Sequence, residues 1–541
     1  MRRGALSVAL LAAGAAMLAV ATLASASRST QGIFRVGIVG ASAQVDPQLA
    51  YITTAWWLEY ATAAKLFNWP DRGSAKLLPE VASRFTVSDR GKRYTFFLRR
   101  GFRFSDGTKV TARNFAYAID RTANKDLASP GAAFITDPNG TNIAGAQEVN
   151  MGNATHVSGV RVRGPYKLTI RLTKPDPSFV LKLTMPFFQA TSTTLPLTHE
   201  VLGGYSSAGP YTYTRNDANV LTSIRRNPYY RRGPGRMRPR HLAGVDIVWG
   251  LNEQDAFQQV MANQLDETTP PASEVQNVAN QFGVNKTRFW TKPSSCTGFL
   301  LLNTREGLLH DNLPMRKAIN WAVDRSDYVA TAGPYAGQPW THLLPPGFPG
   351  SIGAKRLQPY AARSKIEKAK ELAAGHFGDG KIIVVYQSYS TATRGQREVV
   401  RRDLIRLGFD PANIQMIPYS NLYFGFPEHW NIAVSFGWCP DFTDPYDFFR
   451  PLLDYEIYGN PLRGVLTHRY RERIERAERL VGNLRLKAFG KLDLDITKNL
   501  APFVPMRTYN SRHLFSNRVD PRSLAYSGVY NDWSIPALAL K

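Results

Sequence analysis

Between Pro314 and Ile417 helical stretches alternate with short apolar runs, which limits the chain to folds that lay helices against a sheet. Pro314 to Val323 opens with the residue favoured in a first helical turn and turns Ala318, Ile319 and Ala322 to one side. Ser364 is expected to cap a second helix that ends at Ala374, with Gly375 as its stop. Lys381 to Tyr386 then follows as an apolar, buried strand. A third helix covers Gln396 to Leu407 and stops at Gly408, and Ile414 to Ile417 is the next strand. Alternation of this kind predicts an α/β lobe with substantial parallel pairing.

The first third has a different grain. Arg35 to Val39 is a strand, apolar at alternate positions. Arg84–Val87 and Arg93–Leu98 flank Ser88-Asp89-Arg90-Gly91-Lys92, a hairpin with turn residues at its centre. Ser105-Asp106-Gly107-Thr108 makes another turn, and Thr111 caps a helix with Phe115, Ala118 and Ile119 on one face. Val160–Val162 and Lys167–Leu172 form a further strand pair. The Arg-rich stretch Arg225 to Arg240, broken by Pro and Gly, is expected to be an exposed loop. At 541 residues the chain exceeds the size at which one core stops growing, so two or three lobes are expected.

The N-terminus bears on the compartment. Arg2 and Arg3 precede an uncharged apolar run, Gly4 to Leu23, and Ala24-Ser25-Ala26 is a small-x-small cleavage site. Residues 1–26 are therefore expected to be an export signal, the alternative being a retained membrane anchor. Neither cysteine lies near the cleavage site, so lipidation of a new N-terminal Cys is not expected. Export favours a disulfide between Cys296 and Cys439, with two buried free thiols as the alternative. The 67 Lys and Arg against 42 Asp and Glu give a net charge of +25, which attracts polyanions. Behind an export signal, the anionic polymers and lipids of a cell envelope are the expected partners. Nucleic acid is not, because the cations are spread along the chain and no zinc finger or RNP-type strand occurs.

Motifs for chemistry are missing. The nine histidines are scattered, with no His-x-His or His-Glu-x-x-His spacing, so no metal site is expected. There is no Gly-x-Ser-x-Gly elbow and no Ser-x-x-Lys. Gly375 to Lys381 matches the first part of a phosphate loop, but Ile382 replaces the required Ser or Thr and a strand follows. No catalytic residue and no cofactor is expected.

Residues 434–449, Val-Ser-Phe-Gly-Trp-Cys-Pro-Asp-Phe-Thr-Asp-Pro-Tyr-Asp-Phe-Phe, are the most informative. Val434 to Phe436 is a strand end, and Asp444-Pro445 starts a helix with a cap and a first-turn proline. The irregular crossing between them can offer its backbone to an extended ligand. Asp441 suits a ligand ammonium and Trp438 an apolar side chain; alternatively Asp441 satisfies its own loop and Trp438 is core.

This segment resembles the Trp-x-x-Asp-aromatic-x-Asp-Pro region of the dipeptide- and oligopeptide-binding proteins of ABC importers, family 5 of the extracytoplasmic solute-binding proteins. Other stretches resemble that family in the same order. They are Leu78-Pro79-Glu80-Val81-Ala82 with Phe104 to Thr108, Gly209-Pro210-Tyr211 with Arg226 to Tyr230, Leu302-Asn303-Thr304 with Met315 to Arg325, and Pro502 to Met506. The resemblance implies an α/β, two-lobed periplasmic-binding-protein type II fold with an extra strand-rich subdomain in lobe I. Lobe I is expected to cover 33–293, with its inserted subdomain at about 66–195. Lobe II is expected over 294–501, with 502–541 returning to lobe I.

The resemblance also implies that Cys439 pairs with Cys296, that Asp441 receives a peptide α-ammonium, and that Gly437, Trp438 and Cys439 pair with the peptide main chain. Tyr51 and Thr53, in the stretch Tyr51 to Ala55, match the first-lobe segment on the peptide's other side by position, and Tyr509 the C-terminal aromatic contact. Asn114 stands where the family has an acid, and Pro440 beside Asp441 is unusual. The expected function is capture of di- or oligopeptides in an interlobe cleft, by a monomer, for an ABC permease. The same fold in relatives carries metal chelates, oligosaccharides, haem or opines, and an envelope receptor or chaperone is a further alternative. The mature protein is expected outside the cytoplasm, held to anionic envelope material by charge.

Overall fold

A computed structural model describes residues 32–541 except 41, 43, 74–75, 138–141, 232, 235–237, 353–358, 388–390, 419–428, 454–461 and 463. The expected export signal, 1–26, lies outside the described residues. Among those that are described, no helix is long and apolar enough to cross a membrane.

The architecture is α/β, organised on one ten-stranded sheet. At its centre two long strands, Phe289–Leu302 and Phe503–Phe515, run antiparallel side by side. Beyond the first lie Ile432–Trp438, Ile382–Tyr386 and Ile414–Pro418; beyond the second lie Glu267–Thr268, Ile33–Val39, Gly244–Leu251, Leu221–Arg226 and Tyr211–Asp217. The central pair thus belongs to both halves of the sheet. Its register breaks between Pro293 and Thr297: Phe289–Pro293 pairs with Leu514–Asn510, and Thr297 to Leu301 pairs with Thr508 to Phe503.

Parallel pairing occurs where the helix–strand alternation predicts it. Ile382–Tyr386 runs parallel to both Ile414–Pro418 and Ile432–Trp438, and Ile33–Val39 runs parallel to Gly244–Leu251. Strands enclosed on both faces are apolar nearly throughout. Val384, Ile432, Val434, Leu300 and Leu302 accordingly pack with Ile319, Val400 and Leu404 of the helices Leu313–Ala322 and Thr391–Leu407. Ser364 does not cap the helix Ile366–Ala373: Lys365 holds the cap position, and the Ser364 amide lies against the Asp324 carboxylate instead.

A separate four-stranded antiparallel sheet runs in the order Ala82–Ser88, Arg93–Leu98, Lys167–Arg171, Val160–Val162. The helix Ala112–Ala123 covers its inner face, where Tyr94, Phe96, Leu98, Leu168 and Ile170 are buried. At the start of that helix the Thr111 amide donates to Asn114 Oδ1 at 2.8 Å, while Asn114 Nδ2 donates to the Thr191 carbonyl at 3.1 Å. A carboxylate could make only the first bond, which accounts for an amide at this position.

The stretch Arg225 to Arg240 is not simply an exposed loop. Arg225 and Arg226 end a strand, and Arg238 is buried, 2.7 Å from Glu80 and donating to the Tyr60 and Ala63 carbonyls. A guanidinium has enough donors to satisfy several acceptors at once, so an Arg among apolar residues can be an internal strut. Charge alone did not reveal this.

Candidate functional site

The strand Ile432–Trp438 continues through Gly437 and Trp438, which pair with Gly298 and Thr297. These two residues therefore lie in regular sheet rather than on an irregular crossing, because the neighbouring strand runs far enough to pair with them. The next residue, Cys439, is disulfide-bonded to Cys296 on that same neighbouring strand. Chain direction changes only after this clamp, at Pro440 and Asp441. Asp444 then caps the short helix Pro445–Phe448, accepting from the Tyr446 amide at 2.9 Å.

Asp441 is buried, and its Oδ2 accepts a hydrogen bond from the Tyr51 hydroxyl at 2.8 Å. Tyr51 lies 390 positions away, just before the helix Thr53–Thr62, and its ring packs against Trp56 and Phe187. Beneath Asp441 lies a second buried carboxyl, Asp447. It accepts from the Asp441 amide at 2.8 Å and from Trp438 Nε1 at 3.1 Å. Burial pushes the Asp441 carboxyl up to about 7. Burial, and then the charge of Asp441, also push the Asp447 carboxyl well above the usual carboxylate range.

Together these residues enclose a cavity of about 260 Å3. Tyr51, Ile52, Thr53 and Trp56 form one wall; Ser435 to Asp441 form the opposite one; Val529, Tyr530 and Asn531 close the end. Among the described residues Asp441 is the sole acidic one in this lining, and no Lys, Arg or His joins it. A buried carboxylate facing a cavity without a cation is an incomplete ion pair, to which a ligand ammonium is complementary. Among the described residues no His, Cys, Asp or Glu cluster is placed to hold a metal ion.

Six of the seven sequence-predicted binding residues line the cavity: Asp441, Trp438, Gly437, Cys439, Tyr51 and Thr53. Tyr509 does not. Its hydroxyl lies against the Gly298–Gly437 pair, 2.6 Å from where a Cβ on Gly298 would be and 3.2 Å from one on Gly437, and the Arg507 guanidinium covers its ring at 4.1 Å. Sequence reasoning missed Asp447 and Gly298, and also the loop that closes the end. That loop is tied to the register break in the central strands: the Ser295 amide donates to Asn531 Oδ1 at 2.7 Å, and Ser295 Oγ to the Gly528 carbonyl at 2.9 Å. Asp447 carried a signal as the last acid of the 434–449 segment, whereas the loop carried none.

Residues 76–460 match the profile of the bacterial extracellular solute-binding proteins, family 5. The chain belongs to that family. Among curated relatives it is 26% identical over 380 residues to the probable deoxycholate-binding periplasmic protein YgiS of Escherichia coli K12, covering 68% of this chain and 67% of that one. It is 24% identical over 492 residues to di/tripeptide-binding protein 1 of Pseudomonas aeruginosa UCBPP-PA14, covering 86% and 87%. Among solved structures, the murein tripeptide-binding protein MppA of Escherichia coli superposes with a TM-score of 0.76 at 21% identity, over 94% of this chain and 98% of that one. The family's two-lobed fold of periplasmic-binding-protein type II is thereby established, and its members work outside the cytoplasm.

Proposed function

We propose that this protein is the substrate-binding component of an ABC importer, capturing peptides between two lobes and delivering them to the membrane permease. One observation carries the reading: the buried Asp441 carboxylate faces the cavity with the Tyr51 hydroxyl as a neutral partner and no cation in the lining among the described residues. A peptide α-ammonium completes that pair. Ser435 to Cys439 border the cavity along their main chain, as in strand addition, while Trp438, Trp56 and Tyr530 supply apolar surface for side chains. Sequence reasoning offered the bland alternative that Asp441 serves only its own loop; its bond to Tyr51, across the cavity, favours the functional role.

The same proposal places the passage between lobes in the two central strands, at Pro293–Thr297 and around Tyr509, with 33–293 and 502–541 as lobe I and 294–501 as lobe II. Closure follows from ligand affinity that is greater in the closed state than in the open one. The protein acts as a monomer, binds without turnover, and reaches its compartment by an export signal that is removed. The +25 net charge holds it electrostatically to anionic envelope material. A bile-acid-like ligand, as the name of the Escherichia coli relative suggests for that protein, is disfavoured here, since its carboxylate would meet Asp441 without compensation.

Calorimetric titration with a free-amine tripeptide and its N-acetylated counterpart tests the reading. Binding of the first and not the second, with both recovered intact by mass spectrometry, is expected. Equal binding overturns the ammonium site, and cleavage overturns the carrier role.

A further inference from the structure

The hairpin that closes the end of the cavity is seated on a group of titratable side chains that the binding site does not use. Its strands pair Tyr526 with Trp533 and Ser527 with Asp532, which brings Val529, Tyr530 and Asn531 to the tip. The tip lies across the register break of the central strands. Besides the two bonds from Ser295, Ser511 Oγ donates to the Asn531 carbonyl at 3.0 Å. The base is anchored through buried Trp533, whose carbonyl accepts from Trp57 Nε1 at 2.6 Å.

Beside that anchor stands His513, on the central strand Phe503–Phe515. Its ring is buried, stacked on Phe515 and edge-on to Trp533. Nδ1 lies 2.6 Å from Glu267 Oε1 on the short strand Glu267–Thr268, and Nε2 lies 3.9 Å from Asp532 Oδ1 on the hairpin. Two carboxylates from different elements thus share a single imidazole. On the other central strand Trp290 pairs with His513, and Lys292, one row further along opposite Ser511, makes no ion pair with either carboxylate among the described residues. The Tyr526 hydroxyl lies on Ser511 Oγ, and Asp266, next to Glu267, pairs with Arg518 instead. The Asp532 side chain is 29% exposed, which gives protons a way in from solvent.

This seat favours protons. Burial pushes the Asp532 carboxyl up to about 7; His513 opposes the rise and Glu267 adds to it. Burial alone would lower the His513 imidazole, but Asp532 and Glu267 outweigh it and hold the ring above its ordinary 6.5. A hairpin lifted from its seat returns both groups to water and to ordinary values. The docked form therefore binds more protons than the lifted one. Both contributions are full in acid and are lost as pH rises, Asp532 from 3.8 to about 7 and His513 above 6.5.

We propose that His513, Glu267 and Asp532 form a proton-operated latch that seats the cavity-closing hairpin across the passage between the lobes, shut in acid and loosened as pH rises. The inference rests on the binding function proposed above and adds a control on it. His513 is a positioning residue, acting on the ligand only through Asp532 and the hairpin. Neither residue belongs to the cavity lining, so the latch changes the rates of ligand entry and release together, and affinity keeps the dependence set by Asp441.

The test is the release rate of a free-amine tripeptide carrying a C-terminal fluorophore, chased with unlabelled tripeptide. In wild type the rate is expected to rise about tenfold from about pH 5.5 to about pH 7.5, the effect of one linked proton over roughly one pH unit. Asp532→Asn keeps the shape of the protonated acid and is expected to release slowly throughout. His513→Gln is expected to move the rise to higher pH, because no imidazolium then favours the ionised Asp532. Hydrogen exchange of the ligand-free proteins follows the hairpin directly and shows whether the variants are folded. Corrected for the intrinsic effect of pH, residues 526–533 are expected to lose protection as pH rises in wild type and to keep it in Asp532→Asn. Release and protection that are indifferent to pH, or that change alike in wild type and Asp532→Asn, overturn the latch and leave the peptide site standing. A protein that takes up no peptide overturns the binding function, and exchange in the hairpin then decides the latch by itself.

Discussion

The Tyr51 hydroxyl donates to Asp441 Oδ2 at 2.8 Å, joining two residues 390 positions apart across the ligand cavity. Under the function proposed above, this bond links one lobe to the other and marks where a ligand ammonium would enter. Replacing Asp441 with Asn is expected to weaken binding of a free-amine peptide by about 2–5 kcal/mol, the range for breaking a buried charge pair. Tyr51→Phe is expected to cost less, about 1.5–3 kcal/mol, because only a hydrogen bond to the carboxylate is lost. Calorimetry on both variants checks the order.

Asp441 holds its proton to about pH 7 when folded, against 3.8 for its unperturbed carboxyl. Between these values the folded state binds more protons than the unfolded one, so the Asp441 contribution makes ligand-free stability fall as pH rises from about 4 to 7. An ammonium ligand favours the ionised carboxyl, so peptide affinity is expected to rise over the upper part of that window and level off above it. Melting temperatures with and without peptide, measured across the range, check both slopes. An Asp441→Asn variant is expected to lose the pH dependence of affinity.

Gly298 lies opposite Gly437, and the Tyr509 hydroxyl occupies the space a Gly298 side chain would need. Gly298→Ala is therefore expected to destabilise the fold by about 1–3 kcal/mol through overpacking. Combining it with Tyr509→Ala removes the clash, so the two effects should fall short of additive. Urea unfolding of the single and double variants measures the coupling.

The Cys296–Cys439 disulfide spans 143 positions and fixes the residue that follows Trp438. Its removal by Cys296→Ser with Cys439→Ser is expected to cost about 2–5 kcal/mol of stability. Peptide affinity should fall as well, since Cys439 lines the cavity two residues before Asp441. A variant of normal affinity would separate the clamp from the site.

Arg238 and Glu80 form a buried pair at 2.7 Å. Arg238→Met leaves Glu80 without its guanidinium and is expected to cost about 3–5 kcal/mol. Pairing it with Glu80→Gln should recover part of that loss in thermal unfolding.

Local pattern determined much of this protein from sequence. The apolar run Lys381–Tyr386 read as an enclosed strand, Gly375 and Gly408 stopped their helices, and the hairpin around Asp89 was written in its turn residues. The segment from Gly437 to Asp441 stood out because an aromatic, a cysteine and an acid stand together in it, but these residues alone left open whether it binds a ligand or only serves its own loop, and the family resemblance favoured binding. Tertiary structure alone decided the rest. Periodicity says which side of a strand is buried, but not which distant segment will bury it. The opposition of Tyr51 to Asp441, the closing of the cavity by Val529 to Asn531, the seat of Tyr509 against Gly298 and the burial of Arg238 all arise between residues far apart in the chain. The raised Asp441 carboxyl likewise comes from burial, which exists only once the chain has folded around it.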